Sequence, residues 1–232
     1  MRKKSKKYLI LSIVLFLLFA VFTVLVKIID VQPIGPEQSM VGFATVNKFV
    51  ADLTGINMVW YDITDWLGFA ALAVAFCFAL LGLYQLIYRR SFKKVDTRLW
   101  LLAGFYVAVM VFYAFFEIVV INYRPVILEQ ELEASYPSSH TILIICIMVT
   151  AMIQFHYYLR NVKPLLWIAD ILSVLVTVVT VIGRLVSGVH WFTDIIGGIL
   201  LSCALILLYC FALNYAEEKA ASKRAKRRRP RP

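Results

Sequence analysis

Six stretches of the chain are apolar on every helical face for close to the roughly 20 residues that cross a hydrocarbon core of about 30 Å. They cover residues 8–26, 67–88, 99–121, 141–158, 165–182 and 195–215. None alternates apolar and polar at every second position, as the strands of a membrane barrel would. The pattern therefore predicts an all-α integral membrane protein, a six-transmembrane-helix bundle. Between the first two stretches lies a long segment, 27–66, in which VGFATVNKFVADL sets Phe43, Val46, Val50 and Leu53 near one helical face, with Thr45, Asn47, Lys48 and Asp52 as its polar members. That spacing predicts an amphipathic helix lying at a membrane surface. The following tract, INMVWYDITDWLG, supplies Trp60, Tyr61 and Trp66, aromatics suited to the headgroup level. Interfacial packing is favoured for this whole segment over a gate for lipid.

Charge then orients the bundle. Lys and Arg number five in residues 2–7, five from Arg89 to Arg98, two at Arg160 and Lys163, and eight from Lys219 onward. With six spans these four segments share one side, and basic flanks stay in the cytoplasm. An N-in/C-in topology follows, with the amphipathic helix outside. The outer loops instead carry Asp30, Glu37, Asp52, Asp62, Asp65, Glu129, Glu131 and Glu133, with Lys48 as their clearest basic member. The net charge of +10 is thus a property of the inner face, where the tail KRAKRRRPRP meets anionic lipid headgroups; no other feature supports nucleic-acid binding.

Composition agrees. The chain has 232 residues, 62% of them hydrophobic and 16% charged, and a mean hydropathy of +0.81. Residues 1–232 read as one domain, with 1–66 as first span and outer segment, 67–215 as core, and 216–232 as a basic cytoplasmic tail. The first apolar run is too long for a signal-peptide core and no small-residue cleavage pattern follows it, so it is expected to remain as an anchor. Cys77, Cys146, Cys203 and Cys210 all fall inside proposed spans, where thiols act as small apolar groups; they suggest neither disulfides nor a metal site. A plasma membrane, and a bacterial one, is the expected location.

Polar residues gather where a membrane chain has few. Three segments on the outer side hold them: Glu117 to Pro125 at the end of span three, Tyr136-Pro137-Ser138-Ser139-His140 at the start of span four, and Gly183 to Asp194 between spans five and six. Pro137 followed by two serines and an apolar run predicts a helix start, with Ser138 or Ser139 capping it. Such a start favours anions, because its free amides and dipole point outward. His190 and Asp194, four apart, would share a helical face, so the carboxylate could orient the imidazole. Arg184 could fork onto the same anion. Two histidines and two arginines around one anion suit phosphoryl transfer: one imidazole attacks phosphorus, another protonates the departing oxygen, and the arginines stabilise the equatorial oxygens. His156 reads as interfacial and Asp170 as a buried hydrogen-bonding group, both at the opposite end.

The three segments resemble the type 2 phosphatidic acid phosphatase family, whose motifs run Lys-x6-Arg-Pro, Pro-Ser-Gly-His and Ser-Arg-x5-His-x3-Asp. This chain has Glu117-x6-Arg124-Pro125, Pro137-Ser138-Ser139-His140 and Gly183-Arg184-x5-His190-x3-Asp194. The resemblance extends over most of residues 67–215. It implies a nucleophilic His190 that forms a phosphohistidine, Asp194 as its orienting partner, and His140 as the acid that later activates water. It also implies phosphate binding by Arg124, Ser138, Ser139 and Arg184, and needs no metal or other cofactor. Three positions depart from the pattern. Ser139 stands for a glycine and Gly183 for a serine. Glu117 stands for a phosphate-binding lysine, on nearly the same helical face as Arg124. It is expected to clamp Arg124 or Arg184, to bind a hydroxyl or cationic headgroup, or to mark a site without turnover.

The reading is a membrane lipid phosphatase acting at the outer face on a phosphate monoester or pyrophosphate: polyprenyl pyrophosphate, phosphatidic acid or phosphatidylglycerol phosphate. The alternatives are a lipid phosphotransferase and a non-catalytic lipid-binding protein of the same fold.

Overall fold

The described residues, 3–128 and 130–228, of the computed structural model contain seven helices and two single 3-10 turns joined by loops. Six helices are long and apolar enough to cross a membrane: α1 (Lys3–Ile28), α3 (Met58–Arg89), α4 (Thr97–Ile118), α5 (Ser139–Tyr158), α6 (Lys163–Val186) and α7 (Phe192–Arg228). The remaining helix, α2 (Ala44–Thr54), has 11 residues. Glu129 and residues 229–232, the end of the basic tail, lie outside the described residues.

The boundaries differ from the sequence pattern in three informative places. Helix α3 begins at Met58, nine residues before the apolar run, because Asn57 caps it by accepting a hydrogen bond from the Trp60 amide at 3.3 Å. The tract assigned to the interface is therefore the first turns of a spanning helix, and Asp62 and Asp65 belong to α3 instead of a loop. Helix α4 stops at Ile118, where the β-branched run Val119-Val120-Ile121 and then Pro125 disfavour continuation. Helix α7 continues past 215 to Arg228, since Glu217, Glu218 and the alanines and lysines that follow are good helix formers that need no membrane around them.

Helix α5 is the centre of the bundle. Ile144, Cys146, Thr150, Ala151 and Gln154 along it are fully buried, and it packs on α3, α4, α6 and α7. The termini-bearing helices α1 and α7 lie side by side, joined by Ser12 Oγ donating to the Ala204 carbonyl at 2.8 Å and by Ser5 donating to Glu218 at 3.1 Å. In lipid there is no hydrophobic drive between helices, so such hydrogen bonds, worth about 0.6 kcal/mol each, and close packing at small residues carry the association. Leu17, Phe76, Val107, Trp167 and Ile171 point outward instead, as lipid-facing side chains do.

Helix α2 is amphipathic as its spacing predicts, with an outcome the pattern left open. Val46, Phe49 and Leu53 are exposed, while the polar Asn47 is fully buried. Those three apolar side chains face away from the protein, as an interfacial helix requires, whereas Phe43 of the predicted stripe packs inward on Phe22. Of its polar members Asn47 holds it to the bundle, while Thr45, Lys48 and Asp52 are exposed: Asn47 donates to the Gly42 carbonyl at 2.8 Å and to Thr193 Oγ1 at 3.0 Å, and its own oxygen accepts from the Thr193 amide at 3.1 Å. Asn47 thereby satisfies an otherwise free amide at the start of α7.

At the end carrying both termini, Asp96 accepts from Gln85, Arg89 and Tyr158, fixing the α3–α4 loop. His156 and Asp170 pair with each other at 2.9 Å. All the motif residues sit at the opposite end.

Candidate active site

Four backbone segments meet at that end. Ser138 caps α5, its hydroxyl accepting from the Thr141 amide at 3.4 Å and from the Thr141 hydroxyl at 3.0 Å. Its own amide donates to the Asp194 carbonyl at 3.0 Å, so the starts of α5 and α7 are tied together. Gly198 permits this approach: a Cβ there would stand 3.0 Å from Thr141 and 3.2 Å from the Ser138 carbonyl. Just ahead of the cap, Tyr136 is buried among Phe19, Phe22 and Phe116, its hydroxyl 2.8 Å from that of Thr23.

The α4–α5 connection folds back on itself through an antiparallel bridge between Tyr123 and Ala134. Ser135 holds the bridge by donating to the Asn122 carbonyl through both its amide, at 3.0 Å, and its hydroxyl, at 3.1 Å. The Trp191 indole donates to the Tyr123 carbonyl at 2.7 Å, which docks the connection onto the α6–α7 turn. Arg124 is thus delivered by a hairpin and not by α4, so Glu117 and Arg124 do not share a helical face.

His190 likewise precedes α7, in a turn that Gly188 makes possible with φ of +72°, a left-handed conformation costly for other residues. Its Nδ1 lies 3.7 Å from Asp194 Oδ2, an ion-pair distance and longer than a hydrogen bond. Asp194 is engaged elsewhere: Oδ2 accepts from the Trp191 amide at 2.8 Å, and Oδ1 faces the Asn122 amide group at 3.5 Å. It caps the first turn of its own helix as well as facing His190. Burial, then the positive charges of Arg124 and Arg184, hold the His190 imidazole well below the ordinary histidine range, and the nearby Ser135 carbonyl offsets this in part.

Each arginine has a carboxylate partner that the motifs do not contain. Arg184, fully buried, donates through Nη2 to Asp65 Oδ1, and its guanidinium lies 4.9 Å from the Tyr61 ring centre. Arg124 pairs through Nε with Glu133 at 2.8 Å, and its amide donates to the Glu133 carbonyl. Asp65 Oδ1 is also 3.1 Å from His140 Nε2. Glu117, for which clamping Arg124 or Arg184 is one of three expectations, pairs with neither arginine; it is exposed, hydrogen-bonds with Tyr113, and shares a narrow crevice with Ser139. Gly183 has a steric reason, because a Cβ would stand 2.6 Å from Thr64 and 3.0 Å from Trp60. A serine side chain there would push α3 away.

Arg124, His140, Arg184 and His190 nonetheless act on one another electrostatically, as a single cluster. Within it, Arg124 Nη1, Arg184 Nε and Nη1, His140 Nδ1 and both ring nitrogens of His190 are buried with no hydrogen-bond partner among the described residues. Most buried polar groups are paired, so this concentration of cationic and imidazole nitrogens is fitted to an anion with several oxygens. No cluster of three or more His, Cys, Asp or Glu suited to a metal ion occurs among the described residues.

Residues 117–217 match the model of the PAP2 superfamily, and that segment contains all three motifs. The fold is similar to that of the first transmembrane PAP2 type phosphatidylglycerolphosphate phosphatase from Bacillus subtilis, with a TM-score of 0.60 at 16% identity, over 89% of this chain and 96% of that one. No curated protein matches the chain by sequence. The segment that carries the motifs thus matches the PAP2 superfamily by sequence, and nearly the whole chain is similar in fold to that phosphatase.

Proposed function

We propose that the protein is a lipid phosphatase that hydrolyses a phosphate monoester or pyrophosphate through a phosphohistidine at His190. The carrying observation is the group of six unpartnered buried nitrogens on Arg124, His140, Arg184 and His190. The two guanidinium groups bind the equatorial oxygens. His190 attacks phosphorus as the neutral ring that its surroundings favour. The phosphorus–oxygen bond breaks, and the departing oxygen takes a proton from His140. His140 then accepts a proton from water as that water attacks phosphorus and the phosphorus–nitrogen bond breaks, which releases phosphate and restores both histidines. Asp194 orients His190 from 3.7 Å once the ring swings toward it.

The distribution of Lys and Arg supports an outer-leaflet site in a plasma membrane, with both termini in the cytoplasm and the basic tail on anionic lipid. Polyprenyl pyrophosphate, phosphatidic acid and phosphatidylglycerol phosphate all fit this chemistry, and the Bacillus subtilis neighbour is named for its action on the last of these. Purified protein assayed on the three lipids tests the reading. Wild type is expected to release inorganic phosphate, and His190→Ala to lose at least about 1,000-fold. Equal, slow release by both proteins would leave a lipid-binding protein, and transfer of the phosphoryl group to a second lipid without free phosphate would mark a phosphotransferase.

A further inference from the structure

Asp65 belongs to none of the three motifs, yet its carboxylate joins a charged or titratable side chain from each of two of them, His140 and Arg184. A carboxylate on a spanning helix is costly unless it is paired, and such residues usually serve function. Asp65 is only partly buried, with about a third of its side chain exposed, and one oxygen reaches both His140 Nε2 and Arg184 Nη2. Gly183 is what lets α3 come this close, since any side chain at 183 would meet Thr64 and Trp60, the turn that presents Asp65. Where the resemblance leads one to expect a serine hydroxyl, this chain has a glycine and, against it, a helix bearing a carboxylate.

Resting on the phosphatase reading above, we propose that Asp65 is the positioning carboxylate of the proton donor His140. It holds the Nε2–H of His140 and leaves Nδ1, buried and unpartnered, as the nitrogen that gives its proton to the departing oxygen and takes one from water. One Asp65 oxygen faces both Nε2 of His140, at 3.1 Å, and Nη2 of Arg184, so it fixes the ring beside the guanidinium while leaving Nε and Nη1 of Arg184 for phosphate. The dyad His190–Asp194 on one side of the phosphate is then matched by His140–Asp65 on the other. Asp65 and His140 also line a cavity of about 260 Å3 between α3 and α5, walled by Phe69, Leu72, Leu143 and Ile144, so the donor stands where an apolar leaving group would lie.

The test separates leaving groups. An alkoxide must be protonated as it departs, whereas p-nitrophenolate leaves without help. In the full-length protein in detergent, Asp65→Asn is expected to lower kcat on phosphatidic acid by roughly 10- to 100-fold with KM nearly unchanged. On p-nitrophenyl phosphate the loss should stay under about threefold, and Asp65→Glu should recover part of the lipid activity. An equal loss on both substrates would reduce Asp65 to a structural ion pair. A gain would show that its carboxylate competes with phosphate for Arg184; either result overturns the proposal. A second readout is independent of turnover: in spectra of 15N-histidine-labelled protein, the hydrogen-bonded Nε2–H of His140 should be present in wild type and absent in Asp65→Ala, which has no acceptor there. Its absence from wild type overturns the assignment whatever the activity. If the signal is present but wild type hydrolyses neither substrate, the phosphatase reading fails, and Asp65 falls back to an ion-pair partner.

Discussion

His190 shows how much a single side chain owes to its surroundings. Burial and two guanidinium groups disfavour its cation in the folded protein, while in the unfolded chain it titrates near about 6.5. As pH falls through that value, the unfolded chain binds a proton that the folded one refuses, so stability present above the unfolded value is lost toward acid. Thermal unfolding in detergent should therefore show the apparent Tm of wild type falling between pH 7 and pH 5, with a smaller fall in His190→Gln. The histidines and arginines were legible in the sequence because their motifs are short and local. Asp65 and Glu133 were not. Asp65 meets Arg184 across 119 residues of chain, and no spacing rule links the two. The one available signal was a carboxylate ahead of an apolar run, which reads as a loop residue until the Asn57 cap puts it on α3.

At the scale of elements, the site depends on helix starts. The first turn of α5 is satisfied by Ser138, that of α7 by Asp194 and Asn47, and that of α3 by Asn57. Asn47 is the instructive case, since periodicity alone makes it a polar position on a surface helix, whereas it is buried and closes the end of a different helix. Asn47→Leu leaves buried donors and acceptors unpaired at Thr193 and Gly42 and is expected to cost about 1–3 kcal/mol. The loss should appear as a lower apparent Tm, with faster amide exchange at the start of α7. The apolar spans were placed well by hydropathy because lipid demands it. Their ends were not, since the amphipathic first turns of α3 and the charged last turns of α7 carry no apolar signal although the backbone there is helical.

For the whole molecule the decisive question is which way the bundle faces. Six spans put both termini at one end and the histidine–arginine cluster at the other, whichever way it is inserted. The basic residues at the termini end predict that this end is cytoplasmic. With the native cysteines replaced by alanine, Lys48→Cys should react with a membrane-impermeant maleimide on intact cells, and Ser222→Cys only after permeabilisation. The reverse pattern would place the cluster in the cytoplasm.

By itself the sequence determined that the chain spans a membrane six times, and that two arginines and two histidines stand near the span ends at one side. Both follow from local chemistry: unpaired backbone is intolerable in hydrocarbon, so apolar length dictates helices, and charges collect where those helices end. Only the tertiary structure decided which carboxylates face those cations. Glu133 meets Arg124 only because the α4–α5 connection folds back on itself, and Asp65 meets Arg184 only because α3 and α6 approach closely, an approach that turns on the hydrogen atom standing in place of a side chain at Gly183.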